Sequence, residues 1–188
     1  IRTVVFNWLY ARQNDGQFIL RVEDTDRSRY VDDALRVIAD SLNWLGLDYD
    51  EGPDVDGEYG PYIQSKRLKI YRENAKLVRE GKAYRCNCSP ERLKRVREEL
   101  REQGKNPMYD GHCRNKPADA ITPDEPHVIR LKVPPEGSTT FEDLLRGEIT
   151  VENKLIDDQI LLKSDGFPTY NLAVVIDDHM MRITHVMR

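Results

Sequence analysis

Cysteine is scarce, with three in 188 residues. Three thiols cannot all pair with one another, so a disulfide framework is excluded. The cysteines read as thiols or metal ligands in a reducing compartment, by default the cytosol. Long apolar runs are missing too. The longest is five residues, Leu172 to Ile176, against the roughly 20 that a membrane helix needs. No basic-then-apolar amino terminus marks a secretory signal, and there are no internal repeats or low-complexity tracts. Charged residues make up 33% and hydrophobic ones 39%, the balance of a folded soluble chain and not of a disordered one. The length predicts one to two domains. Ile1 in place of a Met, and Arg188 closing an apolar stretch, read as cut ends, so the expectation is an internal piece of a longer protein.

The charge is divided along the chain. Residues 16–60 hold four Lys/Arg against twelve Asp/Glu, whereas residues 65–117 hold sixteen Lys/Arg against seven Asp/Glu. A local excess of this size attracts a polyanion, and it is equally the composition of two solvated helices.

Apolar spacing predicts a helix over 3–14, closed by Asn14-Asp15-Gly16, then a buried strand over 17–22. Leu35, Ile38, Leu42 and Leu45 mark one face of a second helix stopped by Gly46. Residues 48–61 are an acidic loop. A helix follows over 65–80, with Leu68, Tyr71, Ala75 and Val78 inward, then a short strand over 83–87. Ser89-Pro90 is a cap and first-turn pair opening a basic helix to about Gln103. After an irregular stretch, 128–133 alternates as a half-buried strand. Residues 141–151 read as a short turn or helix and then a strand. Ser164-Asp165-Gly166 is a hairpin signal between 159–163 and 167–169. A short helix over 170–177 and a buried strand over 183–187 end the chain. The outer pieces suggest an α/β parallel sheet, and about 63–165 reads as an insertion.

Ligands of open α/β sheets sit at the carboxyl ends of strands. Glu23 and Arg188 end the two outer strands, and a carboxylate beside a guanidinium could hold a zwitterion. Glu23 also reads as the start of a polar turn, Glu-Asp-Thr-Asp-Arg, with Arg188 in a nearby salt bridge.

Several segments resemble the catalytic domain of the glutamyl-tRNA synthetases, in order along the whole chain. They are Phe-Asn-Trp-Leu-Tyr-Ala-Arg (6–12), Phe-Ile-Leu-Arg-Val-Glu-Asp-Thr-Asp-Arg (18–27), Leu-Asn-Trp-Leu-Gly-Leu-Asp-Tyr-Asp-Glu-Gly-Pro (42–53), Gly-Pro-Tyr-Ile-Gln-Ser-Lys-Arg-Leu-Lys-Ile-Tyr (60–71) and Tyr-Asp-Gly-His-Cys-Arg (109–114). Phe-Glu-Asp-Leu-Leu-Arg-Gly-Glu-Ile (141–149), Asp-Gly-Phe-Pro-Thr-Tyr-Asn-Leu-Ala-Val-Val-Ile-Asp-Asp-His (165–179) and Thr-His-Val-Met-Arg (184–188) complete the set.

The resemblance implies a class I Rossmann-type parallel sheet, residues 1–62 and 166–188, interrupted by an inserted α+β domain, 63–165, that grips the tRNA acceptor stem. It implies ATP-dependent activation of glutamate and transfer to the 3′ end of tRNA(Glu), with Mg2+ accompanying ATP, in a cytoplasmic enzyme that is a monomer. Glu23 would hold the glutamate ammonium, Tyr170, Asn171, Leu172, Ala173 and Val174 would line the pocket, and Arg188 would contact the substrate. Arg92, Lys94, Arg95 and Arg97 are the tRNA-binding candidates. The His-x-Gly-His and Lys-Met-Ser-Lys-Ser signatures of the family are absent from the chain, so the expectation is that it does not aminoacylate alone. The outer pieces are expected to be less stable than the insertion.

Cys86-x-Cys88 and Cys113 flank 24 residues. Some family members bind zinc through Cys-x-Cys and Cys-x-His, but Asn115 stands where that pattern has His. The relative that modifies queuosine in tRNA(Asp) uses Tyr-x3-Cys, which Tyr109 and Cys113 match, and His112 is a further candidate. Tetrahedral zinc takes four such ligands. Two alternatives stand beside the ligase: that queuosine-modifying relative, and a non-catalytic RNA-binding module built on 65–117.

Overall fold

The computed structural model describes residues 2–26, 33–78, 80–117 and 119–187. The chain divides into two compact units, one made of residues 1–72 and 168–188 and the other of 73–167.

Unit 1 carries helices α1 (Arg2–Gln13), α2 (Ala34–Leu45) and α5 (Tyr170–Met180), a 3-10 turn over Gln64–Arg67, and the start of α3 (Leu68–Val78). Gly46 closes α2 in the left-handed region, φ 68°, donating back to the carbonyls of Leu42 and Asn43, a conformation glycine reaches at least cost. Residues 18–23 are extended and paired along one edge. Leu20 N donates to Glu51 O and Val22 N to Tyr62 O, giving parallel bridges Ile19↔Glu51 and Val22↔Ile63.

The parallel sheet expected from the outer pieces is limited, among the described residues, to these bridges. Residues 183–187 form no strand. Their anchors are a side chain and a turn: Met187 N and O exchange hydrogen bonds with the Asn7 amide, and Ile183 N donates to Asp178 O. A ladder needs a neighbouring backbone, and apolar pattern alone does not supply one.

The core of unit 1 is built around a charge. Asp177 of α5 is fully buried. Its carboxylate accepts from Arg67 Nε at 2.7 Å, Tyr71 OH at 2.8 Å and Gln64 Nε2 at 3.0 Å. Burial, then the hydrogen bond to Asp177, raises the Tyr71 phenol above its ordinary range. These bonds tie the 3-10 turn and first turn of α3 to α5, which is why the division falls after Arg72 and not at residue 62. Ala75 and Val78 lie outside the described side chains.

Unit 2 holds β1 (Ala83–Cys86), α4 (Pro90–Glu102), β2 (Val128–Leu131), β3 (Ser138–Asp143), β4 (Gly147–Glu152) and β5 (Ile160–Leu162). Strands β1, β2 and β5 form an antiparallel sheet in that order, and β3 pairs with β4 as a separate hairpin. Ser89 caps α4, its Oγ accepting from Arg92 N at 3.2 Å. Of the short turn or helix expected within 141–151 before a strand, the structure has the turn, over 144–146, between β3 and β4. The Asp143 carboxylate accepts from Leu145 N and Arg146 N, both at 2.9 Å, and Gly147 takes φ 74°. An aspartate bonding N–H groups two and three residues on is also what a helix cap does, so the local signal reads both ways.

Candidate functional site

Glu23 stands at the end of the extended segment and lines a cleft of about 700 Å3 in unit 1. Residues 16–21 form one wall, 181–187 another, and α1 contributes Thr3, Asn7 and Tyr10. Arg21 crosses its floor. Its Nη1 donates to Asp178 Oδ1 at 2.8 Å, its Nη2 to Glu23 Oε1 at 3.1 Å, and its Nε lies 3.8 Å from Asp177 Oδ2. The Glu23 side chain is 34% exposed, so it is fixed from one side by Arg21 and reachable from the other. Next to it, Asp24 is structural, its Oδ1 accepting from Ser65 N at 2.7 Å. Tyr10 and His185, which also line the cleft, pack with their rings tilted by 50° and the centroids 4.9 Å apart.

The other expected pocket residues sit on the first turns of α5. Leu172 and Ala173 are buried in the core, Val174 is half-buried, and Tyr170 and Asn171 are exposed. None of the five lines the cleft. Arg188 lies outside the described residues. Sequence reasoning missed Arg21 and Asp178. The signals were a lone cation inside the apolar run 18–22 and a second aspartate after Asp177 at the end of the run 172–176.

In unit 2 the three cysteines converge. Their Sγ atoms all lie within 4.8 Å of one another, with Cys88 and Cys113 at 3.6 Å. The Tyr109 hydroxyl is 3.4 Å from Cys86 Sγ and 3.5 Å from Cys88 Sγ. His112 is not in the cluster; its main-chain N–H donates to Asp110. Burial pushes the Cys88 thiol up to about 11. Cys86 goes the other way. Burial raises it, but hydrogen bonds from Tyr109 and the Cys88 backbone, with Arg130 nearby, hold it below the usual thiol value.

The basic face of α4 is partly neutralised. Arg92 grips Asp110 through both terminal nitrogens. Lys94 and Arg95 stand 3.9 and 3.7 Å from Glu98 and Glu99. Lys94, Arg95 and Arg97 are exposed, and Arg92 is not. No helix among the described residues is long and apolar enough to cross a membrane.

The whole chain, residues 1–188, matches the family of class I tRNA synthetases (E and Q), catalytic domain. It is 58% identical to a glutamate–tRNA ligase of Dehalococcoides mccartyi, over all of this chain and 38% of that protein. A glutamate–tRNA ligase of Fusobacterium nucleatum is 53% identical over 98% of this chain and 37% of its own length. A crystal structure of a glutamate tRNA ligase from Elizabethkingia meningosepticum in complex with its amino acid superposes with TM-score 0.85 at 39% identity, covering 98% of this chain and 39% of that one. The chain thus spans well under half the length of the relatives it matches, and its fold is the mixed α/β fold of their catalytic domains. With every residue inside the family match and the same fold at 39% identity, this chain belongs to the class I tRNA synthetases of the glutamate and glutamine group.

Proposed function

We propose that the chain is the amino-acid-binding part of a glutamate–tRNA ligase, which activates glutamate with ATP and Mg2+ and transfers it to the 3′ end of tRNA(Glu). The observation that carries this reading is Glu23, a carboxylate about one-third exposed and held on one oxygen at the edge of a cleft, in a chain whose relatives bear that activity in their names. Glu23 takes the substrate ammonium, and Arg21 and Asp178 fix the carboxylate's direction. Of the five expected pocket residues on α5, Tyr170, Asn171 and Val174 keep exposed surface, outside the cleft that Glu23 lines. Arg188 takes the substrate carboxylate. Activation and transfer need no protein nucleophile; they rest on positioning and charge stabilisation. Pyrophosphate exchange by the full-length protein with tRNA present tests this. Exchange should depend on glutamate, and equal exchange with aspartate or glutamine would contradict the reading.

Unit 2 is the part of this ligase that grips the acceptor stem, with α4 supplying positive charge to the phosphates through Lys94, Arg95 and Arg97. Arg92 is committed to Asp110 and contributes little. Replacing Lys94, Arg95 and Arg97 with Gln should weaken tRNA binding and flatten its dependence on salt, the slope falling by about one for each phosphate that is no longer neutralised. An unchanged slope would make α4 a solvated face.

Cys86, Cys88, Cys113 and Tyr109 fit zinc. Zn–S bonds near 2.3 Å and Zn–O bonds near 2.0 Å give tetrahedral edges of about 3.8 Å between sulfurs and about 3.5 Å between sulfur and oxygen. Three of the six separations, 3.6, 3.4 and 3.5 Å, match these edges, and all three sulfurs lie within 4.8 Å of one another. Bound zinc would act structurally, tying the end of β1 to the 109–113 loop. One zinc per chain is expected. At a hundredfold excess of free zinc over its Kd, binding should stabilise the fold by about 2.7 kcal/mol, read as a Tm that falls on chelation. A Tm indifferent to chelator in metal-loaded protein would contradict this.

A further inference from the structure

Arg130 of β2 is 2% exposed and forms no ion pair among the described residues. Its Nη1 donates to the main-chain oxygen of Asp158 at 2.8 Å. Its Nε and Nη2 are buried without a hydrogen-bond partner. The Asp158 carboxylate is already engaged by Arg114 at 2.6 and 2.7 Å, Tyr84 OH at 2.6 Å and Val133 N at 2.9 Å. A guanidinium keeps its charge wherever it is placed, so a buried one with two idle donors is costly unless an anion stands nearby.

The sheet register says where that anion is. Tyr84 pairs with Arg130 and Cys86 with Val128, so strand alternation sets Tyr84, Cys86, Val128 and Arg130 on one face. The Arg130 guanidinium carbon lies 3.9 Å from the centroid of the Tyr109 ring, whose hydroxyl joins the Cys86 and Cys88 sulfurs. A divalent ion held by three thiolates and a phenolate is a formal dianion. The other nearby cation, Arg92, has Nη1 3.6 Å from Cys88 Sγ, but its charge is matched by Asp110. Among the described residues, Arg130 is the cation beside the ligands that no carboxylate claims.

We propose that Arg130 is the counter-ion of a metal–thiolate centre formed by Cys86, Cys88, Cys113 and Tyr109, and that it sets the affinity of that centre for zinc. The inference rests on the zinc reading above. Centre and cation explain each other, because each alone is an uncompensated charge in the interior of unit 2.

The test measures zinc affinity of the full-length protein against a chromophoric chelator, together with Tm with and without zinc. Arg130→Met should bind zinc ten- to a hundredfold more weakly, the range seen when partners of metal ligands are removed. Its metal-free form should be at least as stable as the metal-free wild type, because an unpaired buried charge has been removed. Wild-type affinity in that variant, or an equal loss of Tm with and without zinc, would overturn the proposal. Arg130→Lys keeps the charge and asks the same question if the methionine variant does not fold. Affinity within roughly threefold of wild type supports the proposal, and a loss beyond tenfold overturns it. Wild-type protein that takes up no zinc refutes the metal reading itself, a result distinct from zinc bound equally by wild type and Arg130→Met.

Discussion

Replacing Glu23 with alanine in the full-length protein should raise the KM for glutamate ten- to a hundredfold. The substrate ammonium loses a charge-assisted hydrogen bond, a difference of about 1.5–3 kcal/mol. The KM for ATP and the affinity for tRNA should stay near wild type. Folding should hardly notice the change. Glu23 is about one-third exposed and its one ion pair among the described residues is with Arg21, which keeps its 2.8 Å bond to Asp178. That separation distinguishes a binding role from a structural one. Pyrophosphate exchange at graded glutamate concentrations reads the KM, and thermal melting reads the fold. An unchanged glutamate KM would remove Glu23 from the site.

The largest effect on stability is expected at Asp177. Alanine there leaves Arg67, itself 2% exposed, as a buried charge without its partner, and takes the acceptor from Tyr71 and Gln64. Breaking a buried pair from one side costs about 3–5 kcal/mol, a large part of the roughly 5–15 kcal/mol that holds a domain folded. Urea unfolding should show that loss. Asp177→Asn, which keeps a carbonyl acceptor but not the charge, should fall between alanine and wild type. A loss under about 1 kcal/mol for alanine would mean that the cluster is not what holds α5 to the 3-10 turn and α3.

The local elements were largely readable, because each is written in neighbouring residues. Ser89-Pro90 opens α4 and Gly46 closes α2 as the sequence indicates. The four candidate ligands that the family resemblance implied, Cys86, Cys88, Cys113 and Tyr109, do lie together. What needs a distant partner was not readable. Leu35, Ile38, Leu42 and Leu45 mark a helix, yet only Leu42 is buried and Ile38 is 41% exposed, since spacing says nothing of what covers a face. Residues 17–22 were legible as extended chain, but their pairing depends on Glu51 and Ile63, inside and just beyond a stretch that reads as a loop. The Asp177 cluster joins side chains more than a hundred residues apart, and no local pattern marks it. Arg130 carried no signal at all. A lone arginine in an alternating strand reads as its solvent face, and only the three-dimensional arrangement of donors and charges sets it apart.

Charging by the full-length protein tests the central claim most directly. Purified protein would be incubated with ATP, Mg2+, labelled glutamate and, separately, tRNA(Glu) and queuosine-containing tRNA(Asp). The account predicts label on tRNA(Glu), joined to the terminal adenosine by an ester that mild alkali cleaves, and none on tRNA(Asp). Label on tRNA(Asp) with none on tRNA(Glu) would assign the chain to the queuosine-modifying relative. No label on either would contradict the assignment of this site to glutamate transfer.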